Sequence, residues 1–195
     1  MTNRREVLRA AAALPLVTSA ARLVDAAARK SFSLRVLMDG RHEAAKVVGK
    51  RLGRGGAIVH TLPDGDITQV WVQQIAPVWR REPIAVAGLT ERPALFCLEQ
   101  FALACGLRVV FHNEHVVHPS GRTEHWLLRG SRAANLSAGS LSRARLLWPA
   151  RIAEAIETFR EQPCVHARFG RSDAALEPAL PAGATLLTSW IIAPV

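Results

Sequence analysis

Short apolar runs alternate with stretches of helical spacing between residues 32 and 112, and no other feature constrains the fold so tightly. Residues 32–38 (FSLRVLM) have the length and branched content of a buried strand. Residues 42–52 then place Ala44, Ala45, Val47, Val48 and Leu52 at helical spacing, and Gly53, Gly55 and Gly56 stop the helix. A second strand follows at 57–62 (AIVHTL), with a turn at Pro63-Asp64-Gly65. Asp66 and Gln69 have the spacing of a capping box for a helix running to about Arg80, with Pro77 placed to kink or end it. The third unit reads as a strand at 83–87, a release of the chain at Gly88, and a helix from a Thr90 cap to Cys105. Pro93 falls in that helix's first turn, where its missing N–H is harmless, and Gly106 precedes a fourth strand at 107–111.

Strands separated by helices of this length pair in parallel and are covered on both faces. Beyond residue 112 the pattern changes. Residues 111–118 and 122–128 read as an antiparallel hairpin around Pro119-Ser120-Gly121, and 141–160 as a helix disturbed by Pro149. Residues 162–183 are irregular, and 186–192 (LLTSWII) form a closing strand. The expected fold is therefore α/β and three-layered. It has a mainly parallel sheet of four to six strands flanked by helices, flavodoxin-like or Rossmann-like, with an added antiparallel hairpin. A chain of 195 residues, 49% hydrophobic and 21% charged, can bury such a core and carry one appended segment.

That segment is at the start. Asn3-Arg4-Arg5-Glu6-Val7-Leu8-Arg9 precedes an Ala-rich apolar run at 10–21, and Ala26-Ala27-Ala28 offers a small-x-small cleavage site. These residues resemble a twin-arginine (Tat) export signal. The resemblance covers residues 1–28 and implies cleavage, passage through the Tat machinery, a periplasmic location and a single α/β domain at 29–195. The apolar run is too short for a permanent membrane span, which needs roughly 18 residues. Cutting after Ala28 removes four arginines and two acids, which takes the formal charge from +9 to +7 and leaves the mature chain basic.

An oxidising compartment permits disulfides, yet Cys97, Cys105 and Cys164 are an odd number. Cys97 and Cys105 lie on one helix about 12 Å apart along its axis, too far to bridge. They are expected as buried thiols, with Cys97 in the core.

In open α/β sheets the carboxyl ends of the strands meet the N-termini of the following helices, and ligands bind there. Those ends carry Asp39, Arg41 and His42; His60, Asp64 and Asp66; Thr90, Glu91 and Arg92; and His112, Glu114 and His115. From this set Asp39, Asp66 and His112 are the candidate catalytic residues. Gly88 and Thr90 form a candidate anion cradle, with Arg41 and Arg92 supplying charge. Neither a GxGxxG fingerprint, a phosphate loop nor a GxSxG elbow occurs, which disfavours nucleotide binding by those routes and the usual serine hydrolase.

Four histidines lie between 112 and 125. A turn at 119–121 places His115 opposite His125, where the two imidazoles could share a transition metal with Glu114. The five tryptophans, at 71, 79, 126, 148 and 190, are scattered instead of grouped with arginines, so nucleic acid is excluded as a partner. Two functions fit: an exported α/β protein binding or acting on a small anionic compound at its strand carboxyl ends, or a noncatalytic accessory protein for an exported redox or metal enzyme.

Overall fold

The structure, a computed structural model, describes residues 34–129, 136–161 and 180–195. The export-like segment, Phe32, Cys164 and most of the irregular stretch expected at 162–183 lie outside the described residues. The order of elements is β1 (Arg35–Asp39), α1 (Glu43–Arg54), β2 (Ile58–Leu62), α2, β3 (Val86–Glu91), α3 (Arg92–Ala104), β4 (Leu107–Val117) and β5 (Thr123–Arg129). Then come α4 (Ala138–Ala144), a 3₁₀ turn (Arg145–Leu147), α5 (Trp148–Glu161) and β6 (Thr185–Pro194). Helix α2 has three consecutive pieces, Thr68–Val70, a π-helical turn Trp71–Ile75 and Ala76–Trp79. Pro77 has no N–H for the carbonyl one turn back, and the wider turn lies just ahead of it, so the helix continues past the proline.

The six strands form one sheet in the order β2-β1-β3-β6-β4-β5. The α/β class holds, but the sheet is mixed. β1 pairs in parallel with β2 and β3, whereas β6 runs antiparallel to both β3 and β4, and β4 runs antiparallel to β5. The run at 186–192, expected as a closing strand, lies within the sheet between β3 and β4. Its burial explains the place, since Leu187 to Ala193 are buried without interruption, as only a central strand covered on both faces can be.

Helices cover both faces. Leu37, Trp79, Val86, Leu95, Leu98, Trp190 and Ile192 share one core with α2 and α3. On the other face α1 buries Ala45, Val48 and Leu52. Gly49 lets α1 approach the sheet so closely that a Cβ there would fall 2.6 Å from the Met38 sulfur. Arg51 of α1 joins α5 through Glu154 at 2.9 Å and Glu157 at 3.2 Å.

Gly88 does not release the chain. It lies within β3 because the Trp190 ring occupies the space its side chain would need, 2.5 Å from an ideal Cβ. The N-cap of α3 is consequently Glu91, and Thr90 is a strand residue. The expected fourth strand and the first arm of the hairpin are one continuous strand with a bulge between Val109 and Phe111, so His112 is in mid-strand. The hairpin register is as expected, with His115 opposite His125 and Glu114 opposite Trp126. Cys97 is exposed, because α3 buries the stripe Ala94, Leu95, Leu98 and Ala102 instead.

Candidate functional site

The carboxyl ends of β1 and β3 bring four polar side chains together. β1 ends in Asp39, which is fully buried. The chain turns at Gly40, whose N–H donates to the Leu62 carbonyl at 2.8 Å. That turn returns Arg41 to the aspartate: its backbone N–H donates to Asp39 Oδ1 at 3.1 Å, Nε to the same oxygen at 3.0 Å, and Nη2 to Oδ2 at 2.7 Å. Nη2 also lies 3.1 Å from Glu91 Oε1 at the end of β3. Gly65, at φ 75°, admits the guanidinium, because a Cβ there would overlap it.

Burial pushes the Asp39 carboxyl up, but the Arg41 hydrogen bonds and charge, with a smaller contribution from His42, outweigh it and hold the carboxyl below its ordinary range. The hydrogen bonds that Arg41 donates to Asp39 raise Arg41 in turn. His42 Nε2 lies 3.0 Å from Glu91 Oε1 and 3.8 Å from Asp39 Oδ2.

His42 and Glu91 are also the N-cap residues of α1 and α3, and neither makes a side-chain cap hydrogen bond to its own helix. Two helix N-termini thus meet at one point, and neither N-cap side chain caps its own helix. The ligand atoms of Asp39, His42 and Glu91 lie within 4.8 Å of one another, a spacing suited to a metal ion. Arg41 Nη2, between Asp39 Oδ2 and Glu91 Oε1, already stands where such a cation would bind.

The second polar cluster is the histidine pair. His115 Nδ1 and His125 Nδ1 are 2.9 Å apart, and His115 Nε2 is 2.9 Å from Ser189 Oγ of β6. The Trp148 ring of α5 packs on both imidazoles, at centroid distances of 4.5 and 5.3 Å. One Nδ1 must donate to the other, so the accepting ring is neutral; burial favours the neutral form of the donor as well and lowers His125 from 6.5 to about 4. His115 is driven well below its ordinary value by burial first and then by the neighbouring His125 and His112. Glu114 projects from the opposite face of β4, with its carboxylate 3.9 Å from His112 Nε2, and cannot reach the pair.

The remaining expected residues disperse. Asp66 is exposed, one residue ahead of the Ile67 N-cap, and accepts from Thr68 N–H at 2.8 Å and Thr68 Oγ1 at 2.7 Å, an i+2 turn instead of a box with Gln69. Thr90 is fully buried, donates to the Glu91 carbonyl and accepts from Trp190 Nε1 at 3.1 Å, so it faces the core and no helix entry. Gly88 is sealed by the same tryptophan. Arg92 begins α3 beside the cluster. His112 lies on β4, separated from β3 by β6. The structure therefore brings Asp39 and Arg41 together, sets Arg92 next to them, and leaves Asp66, Thr90 and His112 elsewhere.

Sequence reasoning placed His42 and Glu91 at strand ends without pairing them. The available signal was their position as the residues immediately before two helices. No family model matches this chain, and no curated protein or solved structure is similar to it.

Proposed function

We propose that this protein binds a small anionic compound at the carboxyl ends of β1 and β3, with Arg41 as the anchoring donor and His42 as the proton acceptor beside it. One observation carries the reading. The N-cap residues His42 and Glu91 bond to each other across 49 positions instead of capping α1 and α3, so two positive helix ends converge uncapped by their own N-cap side chains. Arg41 adds a fixed cation held by Asp39 and Glu91, and among the described residues nothing engages its Nη1. The carboxylates orient the guanidinium and the imidazole, and the ligand meets Nη1 and the helix N–H groups.

A panel of inorganic phosphate, sulfate and small dicarboxylates tests this by thermal shift. A ligand at a hundred times its Kd stabilises by about 2.7 kcal/mol, and Arg41→Gln removes most of that gain. A wild-type melting temperature unmoved by every member sinks the reading.

The compartment we propose is the periplasm, reached by the twin-arginine route. Arg4→Lys with Arg5→Lys should leave full-length precursor in the cytoplasm; undiminished processed protein in the periplasm refutes it. An accessory, partner-binding role is the second reading. It is favoured by the outer side of α2 and α3, where Val72 is 59%, Phe96 62% and Leu103 48% exposed, and Trp71 stacks on Phe101. Among the described residues no helix is long and apolar enough to cross a membrane.

A further inference from the structure

We infer that the turn carrying Leu146 and Leu147 docks this protein on an anionic lipid surface. Leu146 is 85% and Leu147 69% exposed, while Leu141 and Trp148 on either side are buried. The core thus takes the flanking residues and leaves two adjacent leucines projecting into solvent. They are held out by backbone under strain: Arg145, just before them, has φ 50°, the only positive φ at a non-glycine among the described residues.

The charge beside them is mainly positive. Between Glu124 and Glu154 the sequence contains five arginines and no acidic residue. The two leucines line a cleft of about 1150 Å³ together with Arg122, Glu124 and Arg145, with Trp126 in its wall. A smaller groove of about 590 Å³ is lined by Arg143, Arg151 and Glu154.

The acids in these walls are already paired, Glu124 with Arg122 at 3.0 Å and with His118, and Glu154 with Arg151 at 2.8 Å and with Arg51. Arg143 and Arg145 have no ion-pair partner among the described residues. Exposed leucines beside arginines suit a bilayer: the leucines enter the acyl boundary while the guanidinium groups beside them meet lipid phosphates. A protein groove that accepted the leucines would not need anions beside it.

The test is cosedimentation of the full chain with phosphatidylcholine vesicles, with and without phosphatidylglycerol. Residues 1–28 are themselves basic and apolar, so every variant keeps them. Wild type should bind only the anionic vesicles, Leu146→Glu with Leu147→Glu should weaken binding roughly tenfold or more, and each of Arg143→Gln and Arg145→Gln should weaken it roughly fivefold. Unchanged melting temperatures confirm folding, and Leu146→Gln with Leu147→Gln replaces the glutamate pair if that pair unfolds. Equal binding of the leucine variant and wild type, or equal binding to neutral vesicles, overturns the inference. So does absence of vesicle binding with self-association that the leucine substitutions abolish, which would make the turn a protein contact.

Discussion

Asp39 in the parallel half of the sheet and His115 in the antiparallel half are equally inaccessible, each at 0% exposure, yet folding drives them to opposite charge states. Asp39 stays ionised because a part-exposed guanidinium lies against it and gives two parallel hydrogen bonds to its two oxygens. His115 stays neutral because its neighbours are another imidazole, a serine hydroxyl and the Trp148 ring, none of which offsets a charge. What shares the burial decides the ionisation together with its depth: Asp39 has a part-exposed guanidinium beside it, whereas His115 is enclosed by uncharged groups. The parallel half therefore keeps a charged pair at its strand ends, whereas the antiparallel half holds its buried imidazoles neutral.

The largest expected effect separates the halves by pH. A histidine whose folded pKa is lowered contributes stability that is complete above its unfolded value of 6.5 and is lost as pH falls toward the folded value, here about 4 for His125. At about 1.4 kcal/mol per pKa unit, His125 alone withdraws roughly 3 kcal/mol, and His115 acts in the same direction. Asp39 also has a lowered pKa, but its loss begins only below 3.8. Urea midpoints should fall steadily below pH 6.5 and fall again near pH 3.8. Constant stability between neutral pH and about pH 4.5 would mean that the imidazoles are not held neutral and that the contrast fails.

Gly88→Ala attacks the seam where the parallel and antiparallel halves meet. The added Cβ would lie 2.5 Å from Trp190 Cζ2 and 2.9 Å from the Leu37 carbonyl oxygen. Neither the ring nor the strand backbone can yield cheaply, so a loss of about 3 kcal/mol is expected by chemical denaturation. A loss below about 1 kcal/mol would show that the halves slide past each other more easily than the packing implies.

Arg41→Gln strikes the parallel half alone. It leaves Asp39 buried without its counter-charge at a cost of about 2 kcal/mol, less than for a wholly buried pair because the guanidinium is partly exposed. Combining it with Asp39→Asn should cost clearly less than the two single losses added together, since removing both partners leaves no isolated charge. Additive losses would mean that the pair is not coupled.

Much of this contrast was legible in the sequence. Asp39 ends an apolar strand before a glycine, and the Pro119-Ser120-Gly121 turn set the hairpin register that brings His115 to His125. The βα rhythm up to residue 112 also reads directly.

The sheet order does not read so directly, because a two-sided apolar strand such as LLTSWII announces a central position without saying which neighbours it takes or in which direction. The exposure of Cys97 was hidden for a related reason: α3 is apolar on both its buried and its outer side, so periodicity cannot set its phase. Glu91 and His42 meet only because β1 and β3 are adjacent, a fact of topology that no local spacing carries.

The smallest effect concerns Ser189 and sharpens the antiparallel half. Ser189→Ala removes the hydroxyl that holds His115 Nε2 and should cost about 1 kcal/mol at neutral pH. Its influence on the acid limb tells which partner donates. If the serine O–H donates, it stabilises only the neutral ring; its loss raises the His115 pKa, and less stability is lost on acidification. If the ring N–H donates, the bond also survives protonation; its loss lowers the pKa, and the acid limb steepens. The first outcome is expected where His115 uses its Nδ1–H to reach His125, since a neutral imidazole carries a single N–H and its Nε2 must then accept. A steeper limb would reverse the direction of the chain, with His125 donating to His115.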